Sequence, residues 1–287
     1  MSFLVVLIGV IADRLLPQLN EHRSEAWFQA AYHQLFQRLP RDASWPGLVL
    51  AAVAVLVPAF ITWAAIWLVW EISPFVAYVL GLVVFIFMLG PRGLFSDLHA
   101  LIDAERNADE AERDRLAALI LAPHPVPPTS LERIRAVVTR MLVLAGRRLF
   151  SVIFWYVILG PAGAVLFRAA DILRHRSDLD SDAAVEAAQR LYGLLEWAPS
   201  RLLAGSYALA GSFDEAMSER RAYYMECQGR FFEINEDILA CTGRGALAFG
   251  DDTAGEVEEL EATASLLFRA LVIWLAVLAL LSLLGWT

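Results

Sequence analysis

Lysine is absent from the chain: all 23 basic residues are arginine. A nucleotide-binding P-loop needs a lysine that reaches the β- and γ-phosphates, so a P-loop nucleotidase is excluded. Cysteine is scarce. Cys227 and Cys241 have no CxxC spacing, which leaves no basis for a zinc knuckle or a disulfide framework. Positive charge is in deficit, with 32 acidic residues against 23 arginines and a net charge of −9. Such a chain has no basic footprint for nucleic acid. Arginine without lysine, in a chain rich in Ala and Leu, points to a GC-rich bacterial genome.

Long apolar runs are what the sequence has instead. Residues 48–70 carry no charge over 23 positions, enough for a helix to cross about 30 Å of hydrocarbon. Residues 75–90 follow after the short break EISP and predict a tight transmembrane hairpin. A third run fills 270–286. The 58% hydrophobic content and mean hydropathy of +0.54 agree with these runs. The N-terminal MSFLVVLIGVIADRLLP lacks a basic leader and a small-x-small cleavage site, and is expected to be a retained membrane segment.

The fold class expected is all-α: a polytopic integral membrane protein with helical cytoplasmic loops and a segment that either spans or re-enters. Five regions are expected. Residues 1–90 hold the N-terminal membrane segment, a connector and the transmembrane hairpin. Residues 91–150 hold cytoplasmic amphipathic helices, the first broken or frayed near Asn107 and the second capped by Ser130 after a loop of four prolines. Residues 151–213 join a membrane segment (151–173), kinked at Gly160-Pro161, to the weaker apolar stretch 191–213. Residues 214–265 read as a polar, acidic loop, helical over 214–240, with six carboxylates in 251–261. Residues 266–287 form the C-terminal transmembrane helix.

Arginine placement orients the first half. The 71–74 turn has none, whereas residues 91–149 carry nine. The larger loops are therefore expected in the cytoplasm and the 71–74 turn outside. Beyond residue 168 arginines flank 151–173 on both sides, which suits a re-entrant hairpin as well as a kinked span. Gly160, Ala162, Gly163 and Ala164 would favour close helix contact in lipid, either within one protomer or in a homodimer.

Ionisable groups near apolar segments are the candidate site residues, because they are costly there and either pair or line a cavity. Arg168 and Asp171, three apart, share a helix face. Glu196 and Arg201 interrupt the second apolar stretch, beside Pro199. Asp13, His22 and Arg23 belong to a dense charged cluster after the first apolar segment, which could equally be a solvated connector. Two converging arginines would clamp a phosphate or carboxylate; alternatively they are snorkelling anchors held by an Asp partner. His99 and Asp103 share a face, but no metal site is assigned. No nucleophile–base–orienter arrangement follows from spacing, so no cofactor or catalytic group is assigned.

The segments FWYVILGPAGAVLFRAADIL (154–173) and LLEWAPSRLLAGSYALAGSF (194–213) resemble the paired signatures of the AmpE/CobD group of membrane proteins. The N-terminal apolar segment leading into DRLLPQLNEHRSEAWF (13–28) and the terminal span ending in Gly-Trp resemble the AmpE branch. The AmpE resemblance implies a bacterial inner-membrane, multi-pass protein that regulates β-lactamase induction in connection with peptidoglycan recycling. It also implies an anionic metabolite as ligand at the cytoplasmic face. The CobD resemblance implies the alternative, an enzyme forming an amide on a phosphorylated substrate. After residue 213 the chain departs from that branch, lacking its glycine-rich segment. A transporter is disfavoured, since the spans of 48–90 offer only the Thr62 and Tyr78 hydroxyls.

The orientation is testable with single cysteines at Ser73 and Ala108, in a chain whose Cys227 and Cys241 are replaced by Ala. A membrane-impermeant thiol reagent applied to intact spheroplasts is expected to label the first and spare the second. The opposite labelling pattern inverts the topology.

Overall fold

A computed structural model of the chain describes residues 2–15, 47–90, 92–175, 182–227, 234–249 and 255–285. In these residues every regular element is a helix: α1 (Ser2–Leu15), α2 (Gly47–Ile72), α3 (Pro74–Met88), α4 (Leu94–Arg106), α5 (Glu110–Leu121), α6 (Ser130–Ala145), α7 (Ser151–Leu159), α8 (Pro161–Arg174), α9 (Asp182–Ala210), α10 (Phe213–Glu226), α11 (Asn235–Leu247) and α12 (Glu256–Leu283). A π-helical turn, Gly146–Phe150, joins α6 to α7. The all-α, membrane-embedded fold class is thus observed. Three helices are long and apolar enough to cross a membrane: Ala51–Ile72, Ser130–Leu159 and Glu256–Leu283. The shorter apolar helices Phe3–Asp13 and Pro74–Met88 accompany them.

The chain divides into two compact units, each assembled from separate stretches. The first comprises residues 1–91, 151–197 and 282–287; the second comprises 92–150 and 198–281. The linear division into five regions expected from the sequence therefore differs from the spatial one, because α9 begins in one unit and ends in the other.

In the first unit, α2 packs on α8, α1 on α3, and α3 on α2, α7 and α8. The pattern of α2 is inverted relative to a soluble helix. Its inner stripe is small (Ala51, Ala54, Val55, Ala59), while Phe60, Trp63, Trp67 and Leu68 stay exposed. Lipid is as apolar as a protein core, so large side chains lose nothing by facing outward, and small ones let backbones approach. Trp70 and Tyr78 meet edge-to-face at 5.2 Å across the α2–α3 turn, where amphipathic rings suit the membrane–water boundary. The inner core joins Phe85 to Tyr156, ring centres 4.8 Å apart.

The 151–173 segment is a helical hairpin rather than one kinked helix. Gly160 adopts φ 65° and ψ −154°, a region open in practice only to glycine. Pro161 then opens α8, where a missing N–H costs nothing. The chain doubles back so closely that a Cβ on Gly163 would lie 2.1 Å from the Trp155 carbonyl oxygen. The first membrane-length helix here begins at Ser130, not at residue 151, since α6, the π turn and α7 continue one into the next. Trp155 also donates its indole N–H to the Leu195 carbonyl at 3.0 Å. That carbonyl faces position 199 of α9, where proline has no N–H to give it.

In the second unit, α6 packs on α5, α4 and α11, and α10 on α11. The core gathers Leu98, Leu101, Leu116, Ile120, Ile134, Met141, Leu142, Leu239 and Leu267, all essentially inaccessible. Thr129, not Ser130, caps α6 by accepting from the Glu132 amide; Ser130 is already its first helical residue. Asp109 caps α5 in the same way at 3.0 Å. Tyr207 donates to the Leu142 carbonyl at 2.8 Å, and Trp274 donates to Ser206 Oγ at 2.9 Å. The helix expected over 214–240 is found as α10 and the start of α11; α11 runs on to Leu247 and is not solvated, since it buries Ile238, Leu239, Cys241 and Thr242. Only the stripe of Asp237 and Arg244 stays exposed on α11, and the small residues Gly243, Gly245 and Ala246 are buried without an apolar signal in the sequence.

Gly163→Ala is expected to unfold in detergent well below the parent chain, since the backbone itself must move to accept the methyl. Gly205, with nothing within 4 Å of an added Cβ, is the matched control. Ala there is expected to be neutral or stabilising by roughly 0.5–1 kcal/mol, the usual gain inside a helix. Equal melting temperatures for the two variants would contradict the hairpin packing.

Candidate ligand-binding site

Two charged arrangements stand out, one in each unit. In the first, α8 and the opening half of α9 carry a buried ion network. Arg168 and Asp171 are 4% and 1% exposed, and Arg168 Nη1 donates to Asp171 Oδ2 at 3.0 Å. Arg174 Nε reaches the other carboxylate oxygen at 3.4 Å. The Arg174 guanidinium stacks on Tyr192, its carbon 3.6 Å from the ring centre. Tyr192 donates to Glu196 at 2.6 Å, a carboxylate only 1% exposed. His175 Nδ1 sits 2.7 Å from the Asp171 main-chain carbonyl. Two guanidiniums thus meet the Asp171 carboxylate, and Tyr192 links Arg174 to Glu196.

Helical spacing explains its assembly. Asp171 lies three residues after Arg168 and three before Arg174, so one carboxylate is flanked by both on the same face. Tyr192 precedes Glu196 by one turn and presents its hydroxyl along the helix. Sequence reading singled out Arg168, Asp171 and Glu196, and these three lie in this region. It missed Arg174 and Tyr192, although their i±3 and i±4 offsets from chosen residues were visible signals.

Arg201 lies in the second unit. It donates to Ser200 Oγ at 3.0 Å and to Asn235 Oδ1 of α11. Asp13 sits half-buried in the last turn of α1. His22 and Arg23 lie outside the described residues. His99 Nδ1 is 2.7 Å from the Phe95 carbonyl and Asp103 is 3.8 Å from Arg106. Among the described residues no group of three His, Cys, Asp or Glu side chains is placed to hold a metal ion.

The second arrangement is a cavity of about 830 Å³ within the second unit. Its walls come from α6 (Arg135, Thr139, Arg140), from α10 (Glu215, Glu219) and from α11 (Glu236, Asp237, Arg244). Leu121, Val138 and Val143 supply apolar lining, and Glu259 of α12 closes one side. Asp237 accepts from the Tyr223 hydroxyl at 2.6 Å. Burial, followed by the bond to Asp237, pushes the Tyr223 phenol well above its ordinary value, so it serves as a donor throughout the usual pH range. Burial likewise raises the Cys241 thiol, which keeps it protonated and unreactive. Away from the cavity Glu105 is raised by burial, which outweighs the attraction of Arg113, 3.8 Å away. None of the cavity residues was singled out from the sequence. They come from five helices, and although Arg135 and Thr139, or Glu215 and Glu219, share a face by their spacing of four, nothing local links one helix's set to another's.

Membrane-length apolar helices, with a charged cavity inside the second unit, define a helical membrane protein with a pocket large enough for a small molecule. The chain belongs to the AmpE family: the family model described as "Regulatory signalling modulator protein AmpE" matches residues 1–286. It is also similar to the cobalamin biosynthesis protein CobD of Stutzerimonas stutzeri (strain A1501), 24% identical over 217 residues. That alignment covers 74% of this chain and 64% of the relative, so the chain spans less than two thirds of the curated relative's length. No solved structure matches.

The ion network predicts a specific mutational pattern. Asp171→Asn leaves Arg168 buried without its carboxylate and is expected to cost about 3–5 kcal/mol of stability. The double variant Arg168→Met, Asp171→Leu removes both charges and is expected to recover most of that loss. Thermal unfolding in detergent measures both, and a neutral Asp171→Asn would show that the pair bears no structural role.

Proposed function

We propose that this chain is a multi-pass regulator of the bacterial inner membrane that senses a small metabolite bearing an anionic group. The signal it modulates would be β-lactamase induction and its link to peptidoglycan recycling. The observation that carries the proposal is the charged cavity of the second unit, with Arg135, Arg140 and Arg244 among its walls. Guanidinium forks suit carboxylate and phosphate oxygens. Two of these arginines lie in 91–149, the arginine-rich stretch assigned to the cytoplasm, where a metabolite would be met. The family description supports a regulatory role.

In this reading Arg168 is a structural brace through Asp171, and the anion is met in the cavity. The alternative clamp uses Arg168 and Arg201 as the anion ligands. Lysine substitution separates them, because it keeps the charge but loses the bidentate geometry. Arg140→Lys is expected to abolish β-lactamase induction in a deletion strain at unchanged protein abundance. Arg201→Lys is expected to retain it, while loss of induction in Arg201→Lys with full activity in Arg140→Lys would favour the clamp. The similarity to CobD keeps a second reading in view, an amide-forming enzyme. Rescue of corrinoid synthesis in a strain lacking that synthase would move the assignment to the enzyme.

A further inference from the structure

The second half of α9 has no polar side. From Leu202 to Phe213 the chain carries no charge. The inner face is packed: Leu203, Ala204, Tyr207 and Ala208 are buried, and Tyr207 reaches across to the Leu142 carbonyl. On the outer face Leu202 and Leu209 are 53% and 69% exposed, and Phe213, which opens α10 just beyond, is 53% exposed. Leu202 and Leu209 stand two turns apart on one stripe. Between them lies Gly205, with open space where a Cβ would be. A helix that meets water carries polar groups on such a face, whereas one that is apolar all round is covered by protein or by lipid.

The neighbouring helix indicates which. Trp274 of α12 donates its indole N–H to Ser206 Oγ at 2.9 Å, so α9 and α12 touch there. α12 is of membrane length and leaves Phe268, Val272, Val277 and Leu280 uncovered. Its uncharged run begins at Ala270, directly after Arg269. Trp274 lies four residues into that run, about 6 Å along the helix. That depth suits an apolar ring with one polar N–H. Ser206 is therefore at the edge of the hydrocarbon, one turn from both Leu202 and Leu209. The stretch from Leu202 to Ala210 measures about 13 Å as a helix, too short to cross about 30 Å of hydrocarbon. Charge stands at both ends of the apolar stretch. Arg201 is bonded to Ser200 and to Asn235, and Asp214 and Glu215 follow Phe213. A helix lying in the plane of the membrane boundary keeps both such ends among the headgroups.

We propose that the second half of α9 lies in the boundary of the bilayer, with Leu202, Leu209 and Phe213 against the acyl chains of one leaflet. The second unit then contacts lipid through α9 as well as α12. The helix that carries Glu215 and Glu219 of the cavity wall, α10, starts at that lipid surface. This placement is independent of what the cavity binds.

The test reconstitutes the full chain in vesicles of phosphatidylethanolamine and phosphatidylglycerol. In the first arm the wild-type chain is irradiated beside a phospholipid bearing a diazirine on its acyl chain, then digested with trypsin. Cleavage at arginine yields the fragments 202–220 and 270–287. Lipid adducts are expected on both, and within the first fragment among residues 202–213. Adducts on 270–287 without any on 202–220 overturn the proposal. Adducts on neither overturn the membrane reading of α12 and the proposal with it. The second arm places a nitroxide at Leu209→Cys, or at Asp103→Cys on the exposed face of α4, with Cys227 and Cys241 replaced by Ala. Oxygen, concentrated in lipid, is expected to collide with the label at position 209 more often than a water-soluble nickel chelate does, with the order reversed at position 103. A label at 209 that meets the chelate more often shows a face in water. One reached by neither collider shows a face covered by protein, and mutual broadening of labels identifies that protein as a second copy. Either result overturns the proposal, and the first arm stands even where a cysteine variant fails to fold.

Discussion

A main-chain N–H or C=O that faces hydrocarbon has no water to bond with, so a helix in a membrane can be interrupted only where protein groups take over the freed bonds. Two interruptions fall in the central part of this chain, and both are answered. At Gly160 a conformation closed to other residues turns the chain through a hairpin, and Pro161 begins the next helix where no donor is required. At Pro199 the helix continues, but the Leu195 carbonyl loses its usual donor. The indole of Trp155, on the first arm of that hairpin, supplies it. The arm that Gly163 brings close is therefore the arm that repairs α9. Removing the reversal would leave the α9 bond unmet, and much of the first unit's packing follows from this coupling.

The two units bury different groups. In the first, α2 turns small residues inward and large apolar ones outward, because lipid imposes no penalty on exposed Phe or Trp. What is buried there includes charge: Arg168, Asp171 and Glu196 sit among apolar side chains and compensate one another. A buried ionic network of this kind adds little net stability over an apolar core, but it penalises any arrangement that separates its members. The second unit packs a Leu- and Ile-rich core around α4, α5 and α6, while its α12 leaves Phe268, Val272, Val277 and Leu280 exposed, as a membrane-length helix does. Two of its helices are capped by side chains, α5 by Asp109 and α6 by Thr129.

That contrast bears on function. A regulator in a membrane needs a stable anchor and a surface able to meet a soluble signal. The buried network suits the first role, since Asp171 holds Arg168 and Arg174 together on one face of α8. The cavity suits the second: it is large enough for a small metabolite and mixes both signs of charge. Its walls are drawn from helices whose mutual spacing a ligand could alter. Membership of the AmpE family agrees with regulation.

Much of the architecture was legible in the amino-acid order. Uncharged runs of membrane length, the Gly-Pro break and the 3- and 4-residue offsets that pair Arg168 with Asp171 are local properties. Local properties survive into the fold because helix geometry is the same everywhere. The sequence left open whether 151–173 spans or folds back, since both conformations satisfy the same hydropathy. Only the tertiary structure decided it, through the Gly160 dihedrals and the contact that admits no side chain at Gly163. The cavity was invisible for a related reason. Arg135 and Arg140 of α6 are far along the chain from Glu219, Arg244 and Glu259, and a surplus of solvated charge in a polar loop looks the same as charge that will converge on one space. By itself the sequence determined that the protein is helical and embedded in a membrane, because hydrocarbon thickness and helix rise leave no other use for its apolar runs. Where its charges meet depended on the packing of α6, α10, α11 and α12, a long-range outcome that no local pattern encodes.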